Sequence, residues 1–141
     1  MTTRWFPDGM PQPLADNATI PFWQAAAEHR FMVESCTECS QKRLPASPVC
    51  SVCRSESSEW EQISGRGELY TYTIVHRPIA ADMQLPFIIA VVDLEGADGV
   101  RFITNLVETE IDELEIGMPL EVAWEDMGPD LTIPRFRPVR D

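Results

Sequence analysis

The sequence predicts a mainly β protein: an N-terminal helix and a rubredoxin-like zinc ribbon, followed by a five-stranded OB-fold barrel. Three observations predict it. The only four cysteines form two Cys-x-x-Cys pairs, Cys36/Cys39 and Cys50/Cys53, with ten residues between the pairs. Beyond them, runs rich in β-branched and aromatic residues alternate with glycine and proline turn signals. Apolar residues make up 44% of 141, enough for a real core, and no run approaches the ~18 apolar residues of a membrane span.

Each Cys-x-x-Cys turn aims two sulfurs at one point, and two such turns supply the four corners of a tetrahedral structural Zn²⁺ site. The spacer is shorter than the usual stretch of about 15 to 20 residues, but two short strands can fold back over it. Two disulfides would need an oxidising compartment, and the N-terminus lacks the apolar run of a secretory signal. A thioredoxin-type redox pair explains one Cys-x-x-Cys, not two. Iron accepts the same four thiolates, so the spacing alone leaves zinc and iron open. With every corner taken by protein, the metal is structural. Reduced thiols and the missing signal point to the cytoplasm.

Residues 1–18, with Pro7, Pro11 and Pro13, read as an extended arm that Trp5 and Phe6 could anchor on this chain or on a partner. Residues 19–60 read as helix and zinc ribbon. Thr19 is the expected N-cap, Pro21 fits the first turn, and the helix is expected to run to about Arg30. Its stripe of Phe22, Trp23, Ala26 and Ala27 suits either the chain's own core or a docking contact. Phe31–Glu34 is a strand into the first knuckle, and Lys42-Arg43 lead out of it. Residues 61–141 read as the barrel. Gly65-Arg66-Gly67 is a tight turn or bulge, and Leu69–His76, Phe87–Leu94 and Val100–Val107 are strands, the second expected to be deeply buried because it is apolar on both faces. Glu108–Glu115 is a short polar connector. Leu120–Glu125 and Leu131–Phe136 are the last two strands. Three strands, a connector and two strands match an OB-type barrel, and an open sandwich fits the pattern as well.

The net charge of −12 is uneven: residues 1–60 hold seven acids and five bases, residues 61–141 sixteen acids and six bases. Such a field repels phosphate backbones, which disfavours nucleic-acid binding. With the cysteines committed to metal, only His29 and His76 remain as neutral-pH bases, and no acid/base pair or nucleophile motif stands out.

The order of features is informative: Phe22-Trp23, Cys36-x-x-Cys39, Leu44-Pro45, Cys50-x-x-Cys53, Trp60, Ser64-Gly65-Arg66-Gly67, Tyr70 to Arg77, Pro86, Ile116-Gly117-Met118 and Pro134-x-Phe136-x-Pro138. It resembles the DUF35 family of zinc-ribbon plus OB-fold proteins from about Pro21 to Pro138. Ser40 departs from the family's usual glycine after the first pair, and Ser51 from its usual proline inside the second. The resemblance implies an accessory subunit that docks on a thiolase-superfamily enzyme (acyltransferase, thiolase or side-chain aldolase of steroid catabolism) and shares its acyl-CoA thioester. On that reading Phe22, Trp23, Arg66, His76, Arg77, Arg135, Phe136 and Arg137, with Arg140, are the candidate CoA or partner contacts. The basic residues among them could equally pair with acids of this chain or a partner. The competing readings are an autonomous acyl-CoA-binding module and a nucleic-acid-binding OB protein. Whether the chain turns over substrate alone is left open.

Overall fold

The computed structural model describes residues 3–140; Met1 and Thr2 at the start of the predicted arm, and Asp141 at the end of the predicted barrel, lie outside the described residues. One helix, α1 (Ile20–Ala27), precedes a small sheet of β1 (Phe31–Cys36), β2 (Lys42–Arg43) and β3 (Ser58–Ile63), in the order β2-β1-β3. The remaining strands are β4 (Arg66–Val75), β5 (Phe87–Leu94), β6 (Arg101–Leu106), β7 (Pro119–Gly128) and β8 (Leu131–Pro138), and a single 3₁₀ turn at Ile111–Glu113 fills the polar connector. They close into a barrel in the order β4-β5-β6-β8-β7, which is the five-stranded OB arrangement and excludes the open sandwich. No helix among the described residues is long and apolar enough to cross a membrane.

The helix is shorter than its apolar stripe suggests. Thr19 sits in the helical region and makes no side-chain cap. Asp16 does that work: its Oδ1 accepts the Thr19 N–H at 2.9 Å while Thr19 Oγ1 accepts the Asp16 N–H at 3.0 Å. The Thr19 backbone N–H, helped by the Thr19 hydroxyl, holds the Asp16 carboxyl below its usual pKa. At the other end, Arg30 N–H bonds to Ala25 O and His29 N–H to Ala26 O, both at 2.9 Å. This pair of bonds is a Schellman stop, with His29 at φ 58 where glycine is usual. The Nε2 of His29 lies 2.9 Å from Asp126 Oδ1, and its ring stacks on Trp124. These contacts hold a non-glycine residue in the left-handed region.

Ribbon and barrel meet at Gly65-Arg66-Gly67. β3 pairs with β1 along its whole length, from Cys36↔Ser58 to Phe31↔Ile63. The chain turns at Gly65, φ +77, and β4 begins at once, pairing with β7 through Arg66↔Glu121 and with β5 through Gly67↔Leu94. A Cβ at Gly67 would lie 2.3 Å from the Asp93 carbonyl oxygen and 2.6 Å from Val92 Cγ1. Only glycine fits there. β4 then carries a bulge between Leu69 and Thr71 that re-aims the strand along β5.

β5 corrects one expectation. Ile88, Ala90, Val92 and Leu94 fill the core, but Ile89, Val91 and Asp93 are half-buried, so the strand has one deep face rather than two. Its outer face has no second sheet to cover it. β6 pairs with β5 along its length yet meets β8 at one register pair, Leu106↔Phe136. From Arg101 to Asn105 it has a strand partner on one side only, among the described residues. Pro134 sits inside β8 opposite Trp124 of β7, in the stretch of β8 that has no register pair with β6.

Gly67→Ala should destabilise the protein by about 1–3 kcal/mol through overpacking against the β5 backbone. Gly128→Ala, where a Cβ meets nothing within 4 Å, is the control expected to be near neutral. Urea midpoints at matched m-values decide it; equal midpoints would show that the joint is not tight.

Candidate functional site

The four sulfurs converge as their spacing predicts. Cys36 Sγ lies 3.6 Å from Cys53 Sγ, and Cys39 Sγ 3.6 Å from Cys50 Sγ. All four fall within 4.8 Å of one another. A tetrahedron with Zn–S bonds of about 2.3 Å has edges of about 3.8 Å, so the cluster fits a structural zinc ion. The two knuckles are built alike. Ser40 N–H bonds to Cys36 O and Arg54 N–H to Cys50 O, each at 3.0 Å, with φ 65 at Ser40 and φ 67 at Arg54. Both knuckles thus hold a non-glycine residue in the left-handed region, at a modest cost that the metal must outweigh.

Each knuckle buries its first sulfur residue, Cys36 and Cys50, and exposes its second, Cys39 and Cys53. The backbone amides of Cys53 and Val52 lower the Cys50 thiol to about 6, and those of Cys39 and Glu38 lower Cys36. For Cys39 and Cys53 the amides of Gln41 and Ser55 pull down as well, but desolvation and the neighbouring thiols win, taking Cys39 up to about 12. Four thiols this close cannot all ionise without a cation between them. Zinc supplies that cation.

A second constellation lies at the barrel end. Glu125 is fully buried and Arg135 nearly so. Arg135 donates Nε and Nη2 to Glu125 Oε1 at 3.0 and 2.8 Å, and Nη1 to Asn105 Oδ1 at 2.8 Å. Burial pulls the Arg135 pKa down, with Glu125 opposing it. The remaining carboxylate oxygen, Oε2, accepts the backbone N–H groups of Trp5 and Phe6, the latter at 2.9 Å. The Phe6 ring lies 4.2 Å under the Arg135 guanidinium and edge-on to Phe87. The arm is therefore anchored on this chain, by backbone amides as much as by its aromatics.

Beside this anchor, the arm, α1, the loop 44–46 and strands β5, β6 and β8 enclose a groove of about 820 Å³. Trp23, Phe87, Ile89 and Ile103 are among its apolar walls.

The sequence profile of the ChsH2 rubredoxin-like zinc ribbon domain matches residues 23–59, and that of the ChsH2 C-terminal OB-fold domain matches residues 60–125. The solved structure named "Ltp2-ChsH2(DUF35) aldolase" contains a chain that superposes with a TM-score of 0.81 at 33% identity, over 90% of this chain and 98% of that one. This chain belongs to the DUF35 family. Two curated relatives of the DUF35 chain are larger proteins. A probable enoyl-CoA hydratase alpha subunit of Thermomonospora curvata is 36% identical over 91% of this chain. A 3-oxo-4,17-pregnadiene-20-carboxyl-CoA hydratase alpha subunit of Mycobacterium tuberculosis is 28% identical over 94% of it. The DUF35 chain spans 40% and 41% of their lengths.

Of the other predicted contacts, Phe22, Trp23 and Arg135 line the groove of the DUF35 chain, and Arg66, His76, Arg77, Phe136 and Arg137 do not. Phe22 and Phe136 are core residues; of the helix pair, both of which line the groove, only Trp23 is partly open. Arg137 pairs with Glu108 and Glu121, and Arg140 with Glu113. Arg66, His76 and Arg77 are exposed, the first at the start of β4 and the others just past its end. Sequence reasoning missed Glu125 and Asn105, which read as ordinary polar positions of alternating strands.

Two outcomes are expected. Cys39→Ser should lose zinc and the ribbon fold while the barrel stays partly intact; full zinc retention, measured by metal analysis of the purified variant, would refute the four-sulfur site. Glu125→Ala should cost about 3–5 kcal/mol, because it strands a buried guanidinium, and should free the arm for proteolysis after Phe6. A loss below about 1 kcal/mol in denaturant titration would mean that the pair is solvated rather than buried.

Proposed function

We propose that this DUF35 chain is a non-catalytic accessory subunit of a thiolase-superfamily enzyme acting on acyl-CoA thioesters in steroid or lipid catabolism, and that it forms a hetero-oligomer with that enzyme. The observation that carries this reading is the near end-to-end likeness to a ChsH2(DUF35) chain whose name pairs it with Ltp2 in an aldolase. The family resemblance gives that partner its thiolase-like character. The relatives' names supply the acyl-CoA chemistry, one of them on a steroid skeleton. Their hydratase activity belongs to proteins of which this chain spans about two-fifths, and it is not carried over.

The chain's own residues support a non-catalytic role. Its four cysteines bind the metal, His29 is engaged with Asp126 and Trp124, and His76 lies exposed beyond β4. A four-thiolate site also needs reduced cysteines, which supports a cytoplasmic location. The groove favours a second reading, an autonomous acyl-CoA-binding module. The exposed side chains of Arg66, His76 and Arg77 suit either reading as phosphate contacts, whereas Arg135 is committed to Glu125.

The test is affinity purification of the tagged chain from its native cytoplasm, with mass identification of what comes with it. A thiolase-like protein in near-stoichiometric amount, with turnover of acyl-CoA only when both are present, is the expected result. No partner, together with tight binding of acyl-CoA by the chain alone, would replace the accessory reading with the autonomous one.

A further inference from the structure

We infer that the groove beside β6 is itself a ligand site for an apolar carbon skeleton with one anionic end, the chemistry shared by fatty acids and steroid carboxylates, with Arg101 holding the anion. The choice of a lipid acid rests on the acyl-CoA reading above, while the groove and its charge pattern do not. The volume, about 820 Å³, falls within the roughly 300–1,000 Å³ of small-molecule sites. Walls from four parts of the chain surround it, which is the shape of a pocket for a ligand rather than of a flat docking face.

Its polar inventory sets the chemistry. The polar side chains of the barrel wall are already satisfied: Thr104 Oγ1 donates to Pro134 O at 2.9 Å, Asn105 Nδ2 to Ile88 O at 2.9 Å, and Arg135 is held by Glu125 and Asn105. They offer little to a hydrophilic occupant. No aspartate or glutamate lines the groove, although acids outnumber bases 23 to 11 in the chain. The charged side chains that line it are both arginines.

Arg101 is the available one. Its Nε donates to Asp93 Oδ1 at 2.8 Å and its guanidinium lies 3.7 Å over the Tyr70 ring. Its two terminal nitrogens have no partner among the described residues. A guanidinium fixed on one edge and one face, with the other edge open, is poised to take a carboxylate or phosphate oxygen. Two positions further along the same face of β6 stands Ile103, with 72% of its surface exposed, the spacing at which an apolar ligand body would lie once its anion is at Arg101.

The experiment uses the zinc-loaded full chain and the fluorescent fatty acid cis-parinaric acid, displaced by lithocholic acid and by the methyl ester of lithocholic acid. Saturable binding of one probe per chain is expected, with displacement by the steroid acid. Arg101→Gln should weaken both acids roughly tenfold, which is about 1.4 kcal/mol, and leave the ester unchanged. Ile103→Glu should abolish binding of all three. Both residues are exposed, so unchanged melting and zinc content are expected and are measured alongside. Tighter binding of the steroid acid would assign a ring skeleton and tighter binding of parinarate a chain, and either supports the site. No saturable binding to the wild type, or unchanged affinity in both variants, overturns it. If lipid fails to bind while Ile103→Glu releases a thiolase-like partner, the groove is a protein interface along the open edge of β6, and the ligand inference falls with the accessory reading intact. Lipid binding without any partner gives the converse.

Discussion

The ring of Phe31 is the point on which the two halves of the molecule depend. It opens β1 of the ribbon, yet its ring packs against Phe102 at 5.1 Å, Phe22 at 5.8 Å and Phe136 at 6.0 Å, so one aromatic cluster spans helix, ribbon and barrel. Edge-to-face contacts at these distances add to the area buried. The core is accordingly continuous: Phe22, Phe31 and Val33 belong to the same buried cluster as Leu69, Leu120 and Phe136. Gly65 must turn the chain beside this cluster, with Phe31 Cβ 3.9 Å from where its own Cβ would stand. The groove owes its walls to the same arrangement, since it lies where the ribbon's loop and helix are held against the barrel.

This sharing explains why the ribbon needs its metal. Beyond Phe31, Val33 and the two inner cysteines, the ribbon's own buried apolar content is slight, and its buried polar groups must be satisfied internally. Glu34 is the chief of them. It lies 2.7 Å from Arg43 Nε as an ion pair and accepts the Ser47 N–H at 3.0 Å and the Ser58 hydroxyl at 2.8 Å. Such a network fixes geometry more than it adds stability. Zinc binding is what makes the knuckles worth forming, including the left-handed Ser40 and Arg54.

What the residues revealed in advance, and what they hid, follows from the range of each interaction. The zinc site was legible because coordination chemistry admits few spacings, and the barrel because its strands are bounded by strong turn signals. The helix end was hidden because its stop residue is His29, whose conformation depends on Asp126 and Trp124 far along the chain. β3 was hidden because only Trp60 and Ile63 are apolar in a strand that leans on β1 for its identity. The role of Arg135 was hidden for a related reason. Its partner lies ten positions upstream, and which acid it meets is set by the β7–β8 register, including the irregularity between Asp126 and Gly128. A one-residue slip would turn Glu125 out of the core.

The distribution of charge follows from these placements. Arg135, Arg137 and Arg140 form a basic run in the sequence, but in the fold they tie β8 and the C-terminal end to Glu125, Glu121, Glu108 and Glu113. They close the barrel onto its acidic connector. Among the described residues, only Arg54, Arg66 and Arg77 carry a guanidinium with no carboxylate within ion-pair distance. A long polyanion needs a continuous stripe of such groups to release its counterions, and the surplus of acids repels it at a distance. A ligand with one compact anionic end and an apolar body makes the opposite demand. It needs a single oriented cation beside an acid-free apolar wall, and inside about a Debye length, near 8 Å at physiological salt, that local cation counts for more than the distant field. Arg101, held by Asp93 on one edge and open on the other, and the acid-free wall beside it meet that demand.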